Sequence, residues 1–356
     1  MTVTYIGTAV SPQEQWGPQE HRLVKNIQDQ ISSRFKDESN LLINLTWFGP
    51  QFGNNNSIYN NVIKLIKDKV QFDNLFWMAS TEPIFLLPAQ ITEIEKNLQV
   101  KQAYYIGGFE QSEFAFNFSS TITAEDFIRY SQDQILLTEV DNYYLCYNRK
   151  PKPHRIELVE KIYSNKLEQF GIVTLGKNDV DYDVSQGLKT DLYLTVEENA
   201  LDYSYNNRFL VHNNFGGIPY DLLSLGRLDI WQTHFLNIVC ESEFFPWDNM
   251  FVTEKTWKPI LGLRPFILNG QTKIYRYLRD NGFRTFTHWF DGIELEDIPE
   301  HQIHDSIVSV IKFLTRLSKQ QIKQMYTDML PDLKHNEQRF WEFAKEQQHK
   351  INNVFG

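Results

Sequence analysis

The chain has 356 residues, 42% hydrophobic and 14% aromatic. That is enough apolar material for full-sized cores, which excludes a disordered tail and makes two domains the expected number. Its 45 acidic against 35 basic residues give a net charge of -10, which argues against general affinity for nucleic acid or anionic membranes but leaves room for a local basic cleft. Two cysteines, Cys146 and Cys240, both in apolar runs, support neither a disulfide framework nor a zinc pattern and read as small buried hydrophobes.

The opening MTVTYIGTAV lacks the basic start and apolar stretch of a signal peptide. No window approaches the roughly 18 apolar residues of a membrane span, so a cytoplasmic protein is expected. Along the chain, 3–7 predicts a strand, 21–35 a helix, 41–49 a strand, 58–70 a helix, 74–80 a strand, 88–98 a helix and 103–108 a strand. Residues 109–140 show no clear period. The pattern restarts with a strand over 143–148, a helix from about 154 and a strand over 171–176. Residues 177–215 are polar and read as irregular. A helix over 221–233, a strand over 235–242, a helix from 253, a strand over 265–270 and a helix over 272–282 with Gly282 at its stop follow. The rest, about 302–349, is helical, with Pro331 expected to start a new helix.

Alternation of this kind predicts an α/β chain, two Rossmann-like domains facing a cleft. The boundary is expected near 135–142, giving domains over 1–140 and 141–330, with the helix of 331–356 returning to the first. Ligands of such sheets bind beyond the carboxyl ends of the strands, and the cleft is the natural active site.

Four groups of residues carry chemistry. In FVTEKTWKPILGLRPFILNG (251–270), Asp248, Asn249 or Thr253 caps a helix whose first N–H groups are expected to be free for a phosphate, and Lys255 adds a positive charge there. Glu254 then serves as acceptor for sugar hydroxyls or faces a developing positive charge. The alternative is that Glu254 complements the helix dipole and Lys255 is solvated. In YYLCYNRKPKPHRIELVEKIY (143–163), Asn148 ends a strand and Arg149, Lys150, Lys152, His154 and Arg155 follow. They form either a diphosphate pocket or a solvated basic turn. Gly216-Gly217 is a weak signal for close backbone approach. Glu82, Glu110 and Glu113 lie just beyond predicted strand ends; each is a structural carboxylate or the general base toward a sugar hydroxyl, Glu110 first because it follows Gly107-Gly108. No metal-ligand grouping of histidines is present.

Taken together, NIVCESEFFPWDNMFVTEKTWKPILGLRPFILNG resembles the donor-side signature of family 10 glycosyltransferases, the α1,3-fucosyltransferase type. The likeness covers about 235–271, and 143–176 loosely. TEKTWKPI is also similar to glycosyltransferase-like proteins of phages and marine bacteria. Val252-Thr253-Glu254-Lys255 matches intact; Glu241 stands where the family has Asn, and Trp257-Lys258-Pro259 replaces a smaller helix segment. The resemblance implies a GT-B fold and inverting, metal-independent transfer, with no cofactor beyond the nucleotide-sugar substrate. A GDP-sugar is favoured over a UDP-sugar, and GDP-fucose is the first guess. It implies donor contacts from Glu254, Lys255 and Arg155 or Arg149; Thr253, Glu241 and Asn148 beside them are expected in the same donor site. The expected partners are that donor and a glycan or other hydroxyl acceptor. Two further readings stand: a nucleotide-sugar-binding protein without transfer, and a phage-type DNA-modifying transferase, which the net charge disfavours.

Overall fold

The computed structural model describes residues 4–6, 22–44, 57–68, 70–79, 88–107, 118–148, 152–175, 224–226, 228–242, 244 and 252–355. Within them the chain is mixed α/β and carries two four-stranded parallel sheets. The first is β1 (Thr4–Ile6), β2 (Asn40–Asn44), β3 (Asn74–Ala79) and β4 (Gln102–Gly107), in spatial order β1-β2-β3-β4. Between them run α1 (Arg22–Arg34), α2 (Ser57–Lys67) and α3 (Pro88–Leu98). Alternate strand residues serve opposite faces. Leu41, Ile43, Leu75 and Trp77 pack with Val62 of α2 and Ile91, Ile94 and Leu98 of α3. Phe76 stacks on Tyr104 at 4.8 Å, with Phe35 tilted against both. Burial on both faces is what a parallel sheet requires.

Residues 118–140, without a clear period in the sequence, form α4 (Phe118–Asp126) and α5 (Gln132–Ile135). Their Phe127, Ile135, Leu137 and Val140 join the core of the second sheet. That sheet comprises β5 (Asn142–Cys146), β6 (Gly171–Val173), β7 (His234–Cys240) and β8 (Phe266–Asn269). Its order is β6-β5-β7-β8, so the chain steps one way from β5 to β6, then crosses back over β5 to lay down β7 and β8. The reversal falls between β5 and β7. Around this sheet lie α6 (Pro153–Ser164), α7 (Leu228–Trp231), α8 (Glu254–Leu261), α9 (Lys273–Asp280), α10 (Glu300–Thr315) and α11 (Lys319–Phe355).

Two expectations are corrected. Among the described residues, the helix expected over 221–233 is limited to the single turn of α7: residues 224–226 are not helical, and Gly226 sits at φ 82°, a left-handed conformation that breaks a helix. Pro331 starts no new helix but lies inside α11. A proline there removes one backbone bond and costs about 3 kcal/mol. The apolar stripe Ile322, Tyr326, Met329, Leu333, Phe340 and Phe343, all buried, holds the helix together across it. The α11 helix packs on α4 and α8 and reaches α1, where Gln30 Nε2 donates to Asn352 Oδ1 at 3.2 Å. Gly282 does end α9, at φ 82°. No described helix is long and apolar enough to cross a membrane.

Candidate functional site

The α8 helix is the next described helix after β7. Its anchor is Trp257, fully buried and packed against Phe283, Phe340 and Phe343 at 5.7, 5.5 and 5.8 Å between ring centres. Pro259 is buried beside it. The Trp-Lys-Pro segment therefore belongs to packing, and it fixes where the helix entrance points.

That entrance is organised by a buried carboxylate. Glu241, the first residue after β7, has no solvent exposure. Its Oε1 accepts from Thr253 N (3.1 Å) and Thr256 Oγ1 (2.5 Å); its Oε2 accepts from Thr253 Oγ1 (2.5 Å) and Ser242 N (3.2 Å). Two bonds per oxygen fill the carboxylate. The expectation of free N–H groups in the first turn of α8 is therefore corrected. Thr253 N is given to Glu241, Lys255 N to Thr253 Oγ1 at 3.3 Å, and Thr256 N to Thr253 O at 3.1 Å. The cap is satisfied from within because β7 delivers an anion to it.

What remains at the rim is side-chain charge. Lys255 Nζ donates to Glu254 Oε1 at 2.6 Å and leans on Ser242 Oγ and Thr253 Oγ1, both at 3.4 Å. From the other side, Lys152 at the start of α6 donates to Ser242 O at 2.6 Å. Ser242 thus stands between two ammonium groups brought by two different loops. Glu254 is one-fifth exposed, at 19%, and Lys255 29%. Burial raises the Glu254 carboxyl, but Lys255 beside it and Lys258 outweigh that and hold it below the usual carboxylate range, so it is ionised at neutral pH.

Behind the rim the groups are buried. One Nη of Arg155 donates to the carbonyls of Cys240 (3.1 Å) and Glu241 (3.0 Å), tying α6 to the end of β7. His154 Nε2 donates to the same Glu241 carbonyl at 3.0 Å. Phe244 is sandwiched between the rings of His154 and His304, 5.2 Å from each. Asn269 links these groups, giving Nδ2 to His154 O (3.2 Å) and taking His304 Nε2 on Oδ1 (3.1 Å). Burial, then the charge of Arg155, lowers His154 to a pKa of about 3; burial, then Lys161, lowers His304 to about 4. Both imidazoles are neutral at pH 7.

Asn148 donates its N–H to Thr174 Oγ1 at 3.0 Å and Nδ2 to Cys146 Sγ at 3.4 Å. Its Oδ1 is buried with no hydrogen-bond partner among the described residues. Cys146 and Cys240 are free and buried, thiols 3.8 Å apart across β5 and β7. Contact with Cys240 and burial push the Cys146 thiol up.

Glu241, Thr253, Glu254, Lys255, Asn148 and Arg155 therefore meet at the carboxyl edge of the second sheet, on either side of the strand-order reversal. Glu82, Glu110, Glu113, Arg149, Asp248 and Asn249, and the Gly216-Gly217 pair, lie outside the described residues. Among the described residues no group of three His, Cys, Asp or Glu is placed to hold a metal. Sequence reasoning counted Lys152 among the loop cations without singling it out, and passed over Ser242. The Lys-Pro-Lys-Pro run (150–153) was the available signal for Lys152, since a proline on each side fixes where it emerges. Ser242 carried none, because its position follows from the β7–α8 turn. No protein-family model matches the chain, and no curated protein matches it.

Proposed function

We propose that this chain is a glycosyltransferase of the two-domain GT-B type that moves a sugar from a nucleoside-diphosphate donor to an acceptor hydroxyl, with GDP-fucose the first donor to test. The observation that carries the reading is the convergence of Lys152 and Lys255 on Ser242, at the point where the strand order β6-β5-β7-β8 reverses. Open parallel sheets bind ligands at such a point, because loops leaving neighbouring strands in opposite directions open a crevice there. Three cations (Lys152, Arg155 and Lys255) stand there against the two carboxylates Glu241 and Glu254, in a chain of net charge -10. The site is suited to an anion with two or more charges.

In this reading Lys152 and Lys255 are the diphosphate ligands, and they stabilise the charge that grows on the leaving group as the glycosidic bond breaks. Arg155 and Glu241 are positioning residues: one ties down the end of β7, the other fixes the entrance of α8. Glu254 accepts from sugar hydroxyls. A carboxylate from the first half of the chain, Glu110 ahead of Glu82 and Glu113, takes the acceptor proton. The test is calorimetric titration of GDP and UDP into wild type, Lys152→Ala and Lys255→Ala. Each substitution is expected to cost about 1.5–3 kcal/mol of binding, the worth of a charge-assisted hydrogen bond. Unchanged affinity in both variants would sink the assignment. Transfer itself is tested by turnover of GDP-fucose, with Gln at each of the three carboxylates; the true base should lose about 10²–10⁴-fold.

A further inference from the structure

The Lys255 ammonium is already full. Its three donors are matched by Glu254 Oε1 at 2.6 Å and by the hydroxyls of Ser242 and Thr253 at 3.4 Å. The two carboxylates differ in how they are held. Buried Glu241 accepts from four protein donors, whereas among the described residues the hydrogen-bond partners of the partly exposed Glu254 carboxylate are Lys255 and its own backbone N–H. A phosphate oxygen arriving at Lys255 takes the place of the close carboxylate and leaves two negative charges side by side.

We propose that Glu254 is an internal counter-ion that a diphosphate must displace from Lys255, and that the hydroxyls of an attached sugar give the displaced carboxylate new donors, so the site discriminates for the sugar-bearing donor and against the bare diphosphate left after transfer. The inference rests on the donor-site reading above and deepens it. Binding a bare diphosphate leaves Glu254 facing a like charge without the hydroxyl bonds an attached sugar would add. Binding a donor exchanges the Lys255–Glu254 bond for a phosphate–Lys255 bond plus hydroxyl–Glu254 bonds. Once the sugar has gone, the carboxylate again competes for Lys255 and favours release of the product.

The experiment titrates wild type, Glu254→Gln and Lys255→Ala with inorganic pyrophosphate, which is independent of the base, and with GDP and GDP-fucose. Gln keeps the shape and removes the charge. Glu254→Gln is expected to bind pyrophosphate and GDP about tenfold tighter and GDP-fucose no tighter than wild type, so the preference for the sugar-bearing ligand collapses. Pyrophosphate affinity unchanged or weakened in Glu254→Gln overturns the counter-ion role while leaving the donor site standing. Lys255→Ala without effect on pyrophosphate overturns the donor site, and the counter-ion role with it.

Discussion

The two edges of the second sheet both carry a cation, and they use it in opposite ways. At the amino edge Arg264 is completely buried. Its Nε donates to His234 O (2.9 Å), Nη1 to Ile135 O (2.8 Å), Leu263 O (3.0 Å) and Tyr326 Oη (3.2 Å), and Nη2 to Trp231 O. It joins α5, α7, α11 and the start of β7, and Trp231 completes the clasp by donating Nε1 to Gly262 O at 2.8 Å. A side chain at 262 would strike the Trp231 ring at 2.2 Å, so only glycine fits. Burial lowers the Arg264 pKa only to about 10, and it stays charged against carbonyl dipoles. At the carboxyl edge Lys152 and Lys255 rest on one serine at the surface, and Lys255 is neutralised by a partly exposed glutamate. A planar fork with each of its three nitrogens bonded, mainly to backbone carbonyls, is a structural tie. A partly exposed ammonium whose one close partner is a partly exposed carboxylate is a binding group.

The sharpest way to break that contrast is Arg264→Met. With several buried carbonyls left unsatisfied, it should cost about 3–5 kcal/mol in urea unfolding, while the folded fraction keeps wild-type affinity for pyrophosphate. A loss below 1 kcal/mol would put the two edges in the same class. Next in size is pH. His234 at the amino edge is held at about 3, by burial and then the charge of Arg264; His154 and His304 at the carboxyl edge are held at about 3 and 4. All three fold as neutral imidazoles, whereas the unfolded chain takes up protons below about 6.5. Stability is therefore complete above about pH 6.5 and falls as the pH drops toward the folded values. The loss by pH 5 is about 2 kcal/mol per histidine, at both edges alike. Urea midpoints measured between pH 7 and pH 5 check this, and a flat profile would show the imidazoles to be solvated. Smallest is Thr253→Val. It removes the cap of α8 and one donor to Glu241, costing about 1 kcal/mol. Because Lys255 leans on the same hydroxyl, this variant should also shift pyrophosphate affinity, which Arg264→Met should not. Equal silence of the two variants toward pyrophosphate would remove the distinction.

Much of the fold was legible in the sequence. Parallel strands buried on both faces show as apolar runs bounded by turns, and all eight strands begin within one residue of where those runs begin. The short helix α7 and the unbroken α11 were misread for the same reason. Local rules set the cost of a glycine or a proline, but packing decides whether that cost ends the helix, and at Pro331 a buried stripe on both sides outweighs it. The chemistry-bearing residues at the carboxyl edge were legible as types and spacing: the Thr-Glu-Lys helix entrance, the cations after β5, and Glu241 at the end of β7. Residue types and spacing place these groups at strand ends and at a helix entrance; their partners depend on the fold. The strand order puts β5 next to β7, which brings Lys152 to Ser242; Glu241, spaced like a ligand-binding residue, is spent on the helix cap because Thr253 and Thr256 come within 2.5 Å of it. A sequence fixes which donors and acceptors exist. Which of them satisfy one another inside the fold, and which are left at the rim for a ligand, depends on contacts between residues far apart in the chain.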